Sequence, residues 1–204
     1  MLLLPGYYGQ LDEFTWFYPA LQQALGATCT VAVVDTLDPE LGTTPEEPVD
    51  QLVDYLTRHG AVGRPLYLVG HSLGGIVARC FTHHPTGAAV RGVVMLGSPN
   101  GGVNIWNLLP IHWMRSRGFA ARINARFPLT PGIRYLAIAG TKGHDAIEGF
   151  PNDRVVGAWS VLHLAQLARP DITHEEHRLP LDHWELLRDP TVRDLVVSFI
   201  TAAE

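Results

Sequence analysis

The stretch 65–80, Pro-Leu-Tyr-Leu-Val-Gly-His-Ser-Leu-Gly-Gly-Ile-Val-Ala-Arg-Cys, constrains this chain more than any other. It opens with an apolar run at 66–69 whose length suits a buried strand. It closes with Ile76, Val77, Cys80 and Phe81, a spacing that lines one face of a helix. Between them, Gly70-His71-Ser72-Leu73-Gly74 has the form G-x-S-x-G, in the strand–turn–helix setting that the pattern requires. A residue at the head of so sharp a turn sits in a strained backbone conformation with its side chain projecting outward. Side chains two positions before and after it would strike neighbouring backbone, so glycine is used there. Gly75 lets the helix lie close to the sheet. The helix N-terminus then directs its free N–H groups at the site and favours negative charge developing there. A glycine-rich turn with an incidental serine is the plainer alternative; the flanking strand and helix favour a nucleophile.

Composition narrows the surroundings. A chain of 204 residues, 47% hydrophobic and 17% charged, fits one globular domain with a sizeable core. Its mean hydropathy is +0.09. The net charge is -5 with no basic run, which argues against a nucleic-acid partner. No apolar stretch reaches the length of a membrane span. Met1-Leu2-Leu3-Leu4-Pro5-Gly6 lacks the basic start and long apolar core of a signal peptide. The two cysteines, Cys29 and Cys80, lie in apolar surroundings and read as buried free thiols. A cytoplasmic protein is expected.

Gly-His-Ser-Leu-Gly-Gly resembles the nucleophile turn of the α/β-hydrolase superfamily, above all its lipase and esterase branch. The resemblance implies a serine nucleophile, an acid and a histidine base in that chain order, an oxyanion hole formed by backbone N–H groups, and no metal or organic cofactor. It also implies a fold: a reduced α/β-hydrolase with about six mainly parallel strands, helices on both faces and a small cap segment. The family's two leading antiparallel strands are expected to be missing, since the first strand is read at residue 2.

With that order in mind, the rest of the chain is read from its start. Residues 2–4 form a strand, followed by Pro5-Gly6-Tyr7-Tyr8-Gly9. In the resembling family the N–H after the turn glycine supplies half of the oxyanion hole; here that residue is Tyr7, and Leu73 supplies the other half. Two such donors matter because the tetrahedral intermediate concentrates charge on one oxygen. Pro5 stands where many lipases have histidine. An ordinary strand-end turn is the alternative. Phe14, Phe17, Leu21 and Leu25 share a helical face, 30–34 is a β-branched strand, and 49–59 is a second amphipathic helix. Residues 90–96 form a strand leading into Gly97-Ser98-Pro99; Ser98 lacks the flanking glycine pattern and reads as structural. His83 and His84 end the helix after the nucleophile turn, with no third metal ligand at a recognised spacing.

The segment 103–129 gathers Trp106, Leu108, Leu109, Ile111, Trp113, Met114 and Phe119 around Pro110. It reads either as a small cap over an acyl chain, with Tyr8, Trp106, Leu109, Trp113 and Met114 in the pocket, or as a crossover whose aromatics fill the core. After a strand at 133–139, Asn152-Asp153-Arg154-Val155-Val156 resembles the family's acid position, which makes Asp153 the acid; Asp145, nearer the strand end, is the competitor. Ile172 to Leu179 alternates as a last strand with the polar content of an edge. His183 follows in the loop before a closing helix that starts at Asp189-Pro190. Ten histidines are present; position singles out His183, because the family carries its base between the last strand and the last helix.

The expected activity is cleavage of a small-molecule or lipid ester through an acyl-enzyme on Ser72. Transfer of the acyl group to another acceptor, cleavage of a thioester, and a non-catalytic binding role on the same fold are the alternatives.

Overall fold

The computed structural model describes residues 1–6, 11–35, 37–38, 44–102, 118–144 and 151–202. Its centre is a six-stranded sheet. The strands are β1 (Leu2–Leu4), β2 (Ala32–Val33), β3 (Leu66–His71), β4 (Val90–Leu96), β5 (Arg134–Gly140) and, after a small antiparallel pair β6 (Gly143–His144) and β7 (Pro151–Asn152), β8 (His174–Leu179). Their order is β2-β1-β3-β4-β5-β8, and every neighbouring pair in that sheet is parallel. The expected mainly parallel sheet is thus wholly parallel.

Period-2 alternation sends successive side chains to opposite faces. Leu3, Val69, Val94 and Leu136 stand in register across four strands. They pack with Phe17, Leu21 and Leu25 of α1 (Phe17–Leu25) and Val192, Val196 and Phe199 of the last helix. The other face carries Leu4, Leu68, Val93 and Ala137. It packs against α2 (Glu46–Arg58), α3 (Leu73–Phe81), α4 (Phe119–Arg126), α5 (Ala158–Val161) and α6 (Leu164–Leu167). The closing helix α7 (Pro190–Thr201) starts with Pro190 at its first position, and the Asp189 side chain accepts a hydrogen bond from the Thr191 N–H.

Several elements depart from the sequence reading at their ends, among them these three. The strand expected at 30–34 pairs only at Ala32 and Val33, because it lies at the sheet edge beside the three-residue β1. The second helix begins at Glu46, three residues before Val49, and places two glutamates in its first turn, where the helix dipole favours them. The last strand begins at His174, and it is an edge strand as its polarity suggests. Ile123 of α4, and Phe127 and Leu129 just after it, all from the end of the cap candidate, are buried in the core.

The strand order reverses between β1 and β3. In an open parallel sheet the crevice beyond the carboxyl ends of the strands at such a reversal is where ligands bind. The carboxyl end of β1 leads to Gly6, and that of β3 leads to Ser72.

Candidate active site

Ser72 links β3 to α3 with φ 50° and ψ −119°, a conformation costly for any residue with a Cβ. Its N–H donates to the Leu96 carbonyl at 2.8 Å, which fixes the turn to the end of β4. The glycines on either side have a direct steric cause. A Cβ on Gly70 would lie 2.2 Å from the Gly75 nitrogen, and one on Gly74 would lie 2.2 Å from the Leu4 carbonyl oxygen. Ser72 is 8% exposed, so its hydroxyl has limited access to solvent. As the first residue of α3, Leu73 has an N–H with no partner four residues back in the helix.

Asp153 and His183 come from the loops beyond β7 and β8. They are joined twice: the His183 N–H donates to the Asp153 carbonyl at 2.8 Å, and Nδ1 lies 2.7 Å from Asp153 Oδ2. The other carboxylate oxygen accepts from the N–H groups of Val155 and Val156 at 2.9 and 2.6 Å. These donors compensate a carboxylate that is fully buried. A carboxylate on Nδ1 leaves the hydrogen there and the lone pair on Nε2. Burial, with the neighbouring His71 ring, pushes the pKa of His183 below its ordinary value, against the pull of Asp153 and Glu13. Its imidazole therefore resists charging at neutral pH.

The pair lies beside the Ser72 turn. A Cβ on Gly97, the residue after Leu96, would meet Asp153 Oδ2 at 2.9 Å and His183 Nδ1 at 3.0 Å. Ring centroids of His71 and His183 are 4.4 Å apart, and His71 precedes Ser72. Three segments distant in sequence thus meet at the carboxyl edge of the sheet.

The loop that carries His183 is shaped locally by a reciprocal cap. Asp182 Oδ1 accepts from the N–H groups of Trp184 and Glu185, and Glu185 Oε2 accepts from the Asp182 N–H at 2.9 Å. Lys142 pairs with Glu185 from the turn after β5. Trp184, 52% exposed, sets its ring edge-on to His183.

Tyr7, Tyr8, Trp106, Leu109, Trp113, Met114 and Asp145 lie outside the described residues. Ser98 is fully buried against Gly75. His83 bonds the Pro128 carbonyl, and His84 caps the short 3-10 turn that follows it. Sequence reasoning missed Glu13. Its carboxylate is buried, pairs with His71 Nδ1, and accepts the Gly6 N–H. It also missed Arg79, which sits on an otherwise apolar helix yet is fully buried and bonds Asn100 and Asn124. A lone glutamate near a helix start and an arginine on a helix read as solvated; neither carries a local signal of burial.

A wholly parallel sheet with helices on both faces, and a serine at its strand-order reversal, defines a class of α/β proteins that bind at that edge. The chain belongs to the Alpha/beta hydrolase family, whose sequence profile matches residues 1–203. No curated protein matches the sequence. Among solved structures, the lin2722 product of Listeria innocua is similar at TM-score 0.68 and 16% identity, over 98% of this chain and 92% of that one. The mature lipase BlEst2 of Bacillus licheniformis is similar at 0.63 and 17%, over 99% and 90%. RedJ, a thioesterase of Streptomyces coelicolor prodiginine biosynthesis, is similar at 0.55 and 16%, over 100% and 89%. Among the described residues no helix is long and apolar enough to cross a membrane.

Proposed function

We propose that the protein is a serine hydrolase of carboxylic esters. Ser72 is the nucleophile, His183 the general base, and Asp153 the group that fixes the base's tautomer. The Ser72 Oγ attacks the ester carbonyl carbon while its proton passes to His183 Nε2. The carbonyl oxygen takes the charge and is held by the Leu73 N–H and, on the family pattern, the Tyr7 N–H. The C–O bond to the alcohol then breaks, and His183 returns the proton to the leaving oxygen. Water, deprotonated by His183, attacks the acyl-enzyme; the acid leaves and Ser72 regains its proton.

One observation carries the reading: the buried 2.7 Å contact between Asp153 and His183, packed over Gly97 beside a serine held at φ 50°. A merely structural histidine has no need of a carboxylate on one nitrogen and a lone pair left on the other. Asp153 is preferred to Asp145 on this contact. The acyl group is aliphatic in this reading, bound by Tyr8 and by Trp106, Leu109, Trp113 and Met114 of the candidate cap.

A second reading, cleavage of a thioester, uses the same residues and is favoured by the likeness to a thioesterase. The test is a p-nitrophenyl ester series of increasing acyl length, run beside acyl thioesters, on wild type and Ser72→Ala. Ester turnover that vanishes in the variant supports the proposal. Turnover of thioesters alone would replace it with the second reading, and ester turnover that survives in Ser72→Ala would end both.

A further inference from the structure

Glu13 and His71 form a buried link between the two sides of the nucleophile. Their side chains are 2% and 1% exposed. Glu13 leaves the 3-10 turn Leu11–Phe14, and its two oxygens accept the Gly6 N–H at 3.2 and 3.0 Å. Gly6 packs on Ser72: a Cβ there would lie 2.9 Å from the Ser72 Cβ. On its far side the same carboxylate pairs with His71 Nδ1. His71 Nε2 lies 3.0 Å from the His183 carbonyl oxygen. A carbonyl only accepts, so Nε2 carries a hydrogen and donates it. One further proton lies between Nδ1 and the carboxylate. Every polar atom of the pair is thereby engaged, by three segments: the turn after β1, the end of β3, and the loop after β8.

We propose that Glu13 and His71 act as one positioning unit, holding Gly6 after β1 and the His183 loop in register on either side of Ser72. The inference rests on the reading of Ser72 and His183 given above. A buried ionisable pair is a poor way to add stability, since apolar groups of the same volume often do as well or better. Its directed hydrogen bonds instead fix distances between backbone segments. Here those segments are the turn leading to the candidate oxyanion donor and the loop bearing the base. Misplacement of reacting groups by about an ångström costs on the order of a hundredfold in rate.

The experiment uses Glu13→Gln, His71→Gln, His71→Leu and the double variant Glu13→Gln/His71→Gln. For each, the rate of Ser72 labelling by an alkyl fluorophosphonate, kcat and KM for an ester, and the melting temperature are measured. In labelling, Oγ bonds to phosphorus, fluoride leaves, and the proton goes to His183. Each single variant should label about 10- to 100-fold more slowly than wild type, with KM within about twofold. His71→Gln keeps an N–H for the His183 carbonyl and should retain more activity than His71→Leu. The double variant should be no slower than the slower single variant, as expected of groups acting as a unit. Should Glu13→Gln fail to fold, the His71→Gln to His71→Leu comparison decides alone. Wild-type labelling rates in folded single variants, or losses that multiply in the double, would overturn the inference and leave the ester-hydrolase reading intact. A wild-type protein that does not label at Ser72 would overturn both.

Discussion

The Ser72 turn and the loop that carries His183 reach the same crevice by opposite means. The turn is contiguous in sequence and held by sterics. Gly70 and Gly74 let backbone approach to distances no Cβ would survive, and Ser72 is forced to φ 50° between them. The histidine loop is held by hydrogen bonds: the local Asp182–Glu185 cap, and, from far along the chain, the Lys142 pair, both bonds to Asp153, and His71 beneath. One region excludes volume and the other satisfies polarity. The turn should therefore be intolerant of any added carbon, and the loop of any lost polar partner.

The largest effect tests whether the turn carries the chemistry. Ser72→Ala keeps the Cβ and the strain but removes the oxygen, so kcat should fall by about 10⁶-fold, with a melting temperature near that of wild type. Residual ester turnover above a hundredth of wild type would detach the turn from function. On the loop side, Asp153→Asn offers Nδ1 a donor or a neutral acceptor in place of the carboxylate. It should cost about 10⁴-fold in kcat. If Asp153→Asn retained most activity, the loop's contribution would be packing alone. Next in size is Gly70→Ala, whose Cβ would sit within 2.2–2.4 Å of three backbone atoms. Backbone cannot yield as a side-chain tip does, so a loss of about 3 kcal/mol or more is expected in urea unfolding.

The difference between the two regions also explains what was legible in the sequence. The turn announces itself because its cause is local: strand, glycine, serine, glycine and helix fall within sixteen residues, 66–81. The strand at 90–96 and the α1 face of Phe17, Leu21 and Leu25 were legible for the same reason, as period and face are written in neighbouring residues. Asp153 and His183 were singled out through family order rather than chemistry, since 30 residues separate them. Glu13 and His71 are 58 apart, and nothing near either one marks the other. Arg79 failed for a related reason. Helical periodicity assigns faces, but α3 is enclosed on every side, so even its charged residue is buried.

The pH dependence of activity sharpens the comparison at smaller amplitude, because the group that titrates sits on the loop. The proposed base must be neutral to accept a proton, and burial lowers the pKa of His183 from its ordinary 6.5. The acid limb of kcat/KM should therefore have its midpoint below 6.5. Stability has its own sign. The unfolded histidine takes up a proton more readily than the folded one, so stability is full above pH 6.5 and declines as pH falls toward the folded value, then levels. In His183→Gln that decline should shrink, measured as urea midpoints between pH 7.5 and 5. Asp153→Asn removes two contributions that raise the pKa, so its residual activity should show a limb lower still. A midpoint above 6.5 in wild type would mean that Asp153 and Glu13 outweigh burial.

The smallest effect concerns strain, which belongs to the turn and has no counterpart in the loop. A residue with a Cβ at φ 50° and ψ −119° stores about 1–3 kcal/mol. Ser72→Gly releases that strain but also gives the unfolded chain more freedom, which returns about 0.4–1 kcal/mol. The net gain is of order 1 kcal/mol, or a rise of about 2–4 °C in melting temperature for a domain of this size. Ser72→Ala is the proper reference, since it is equally inactive and equally strained. If Ser72→Gly melted at or below Ser72→Ala, the turn would hold no strain to release. Ser72 would then be held, like the histidine, by its bonding partners, foremost the Leu96 carbonyl on its N–H.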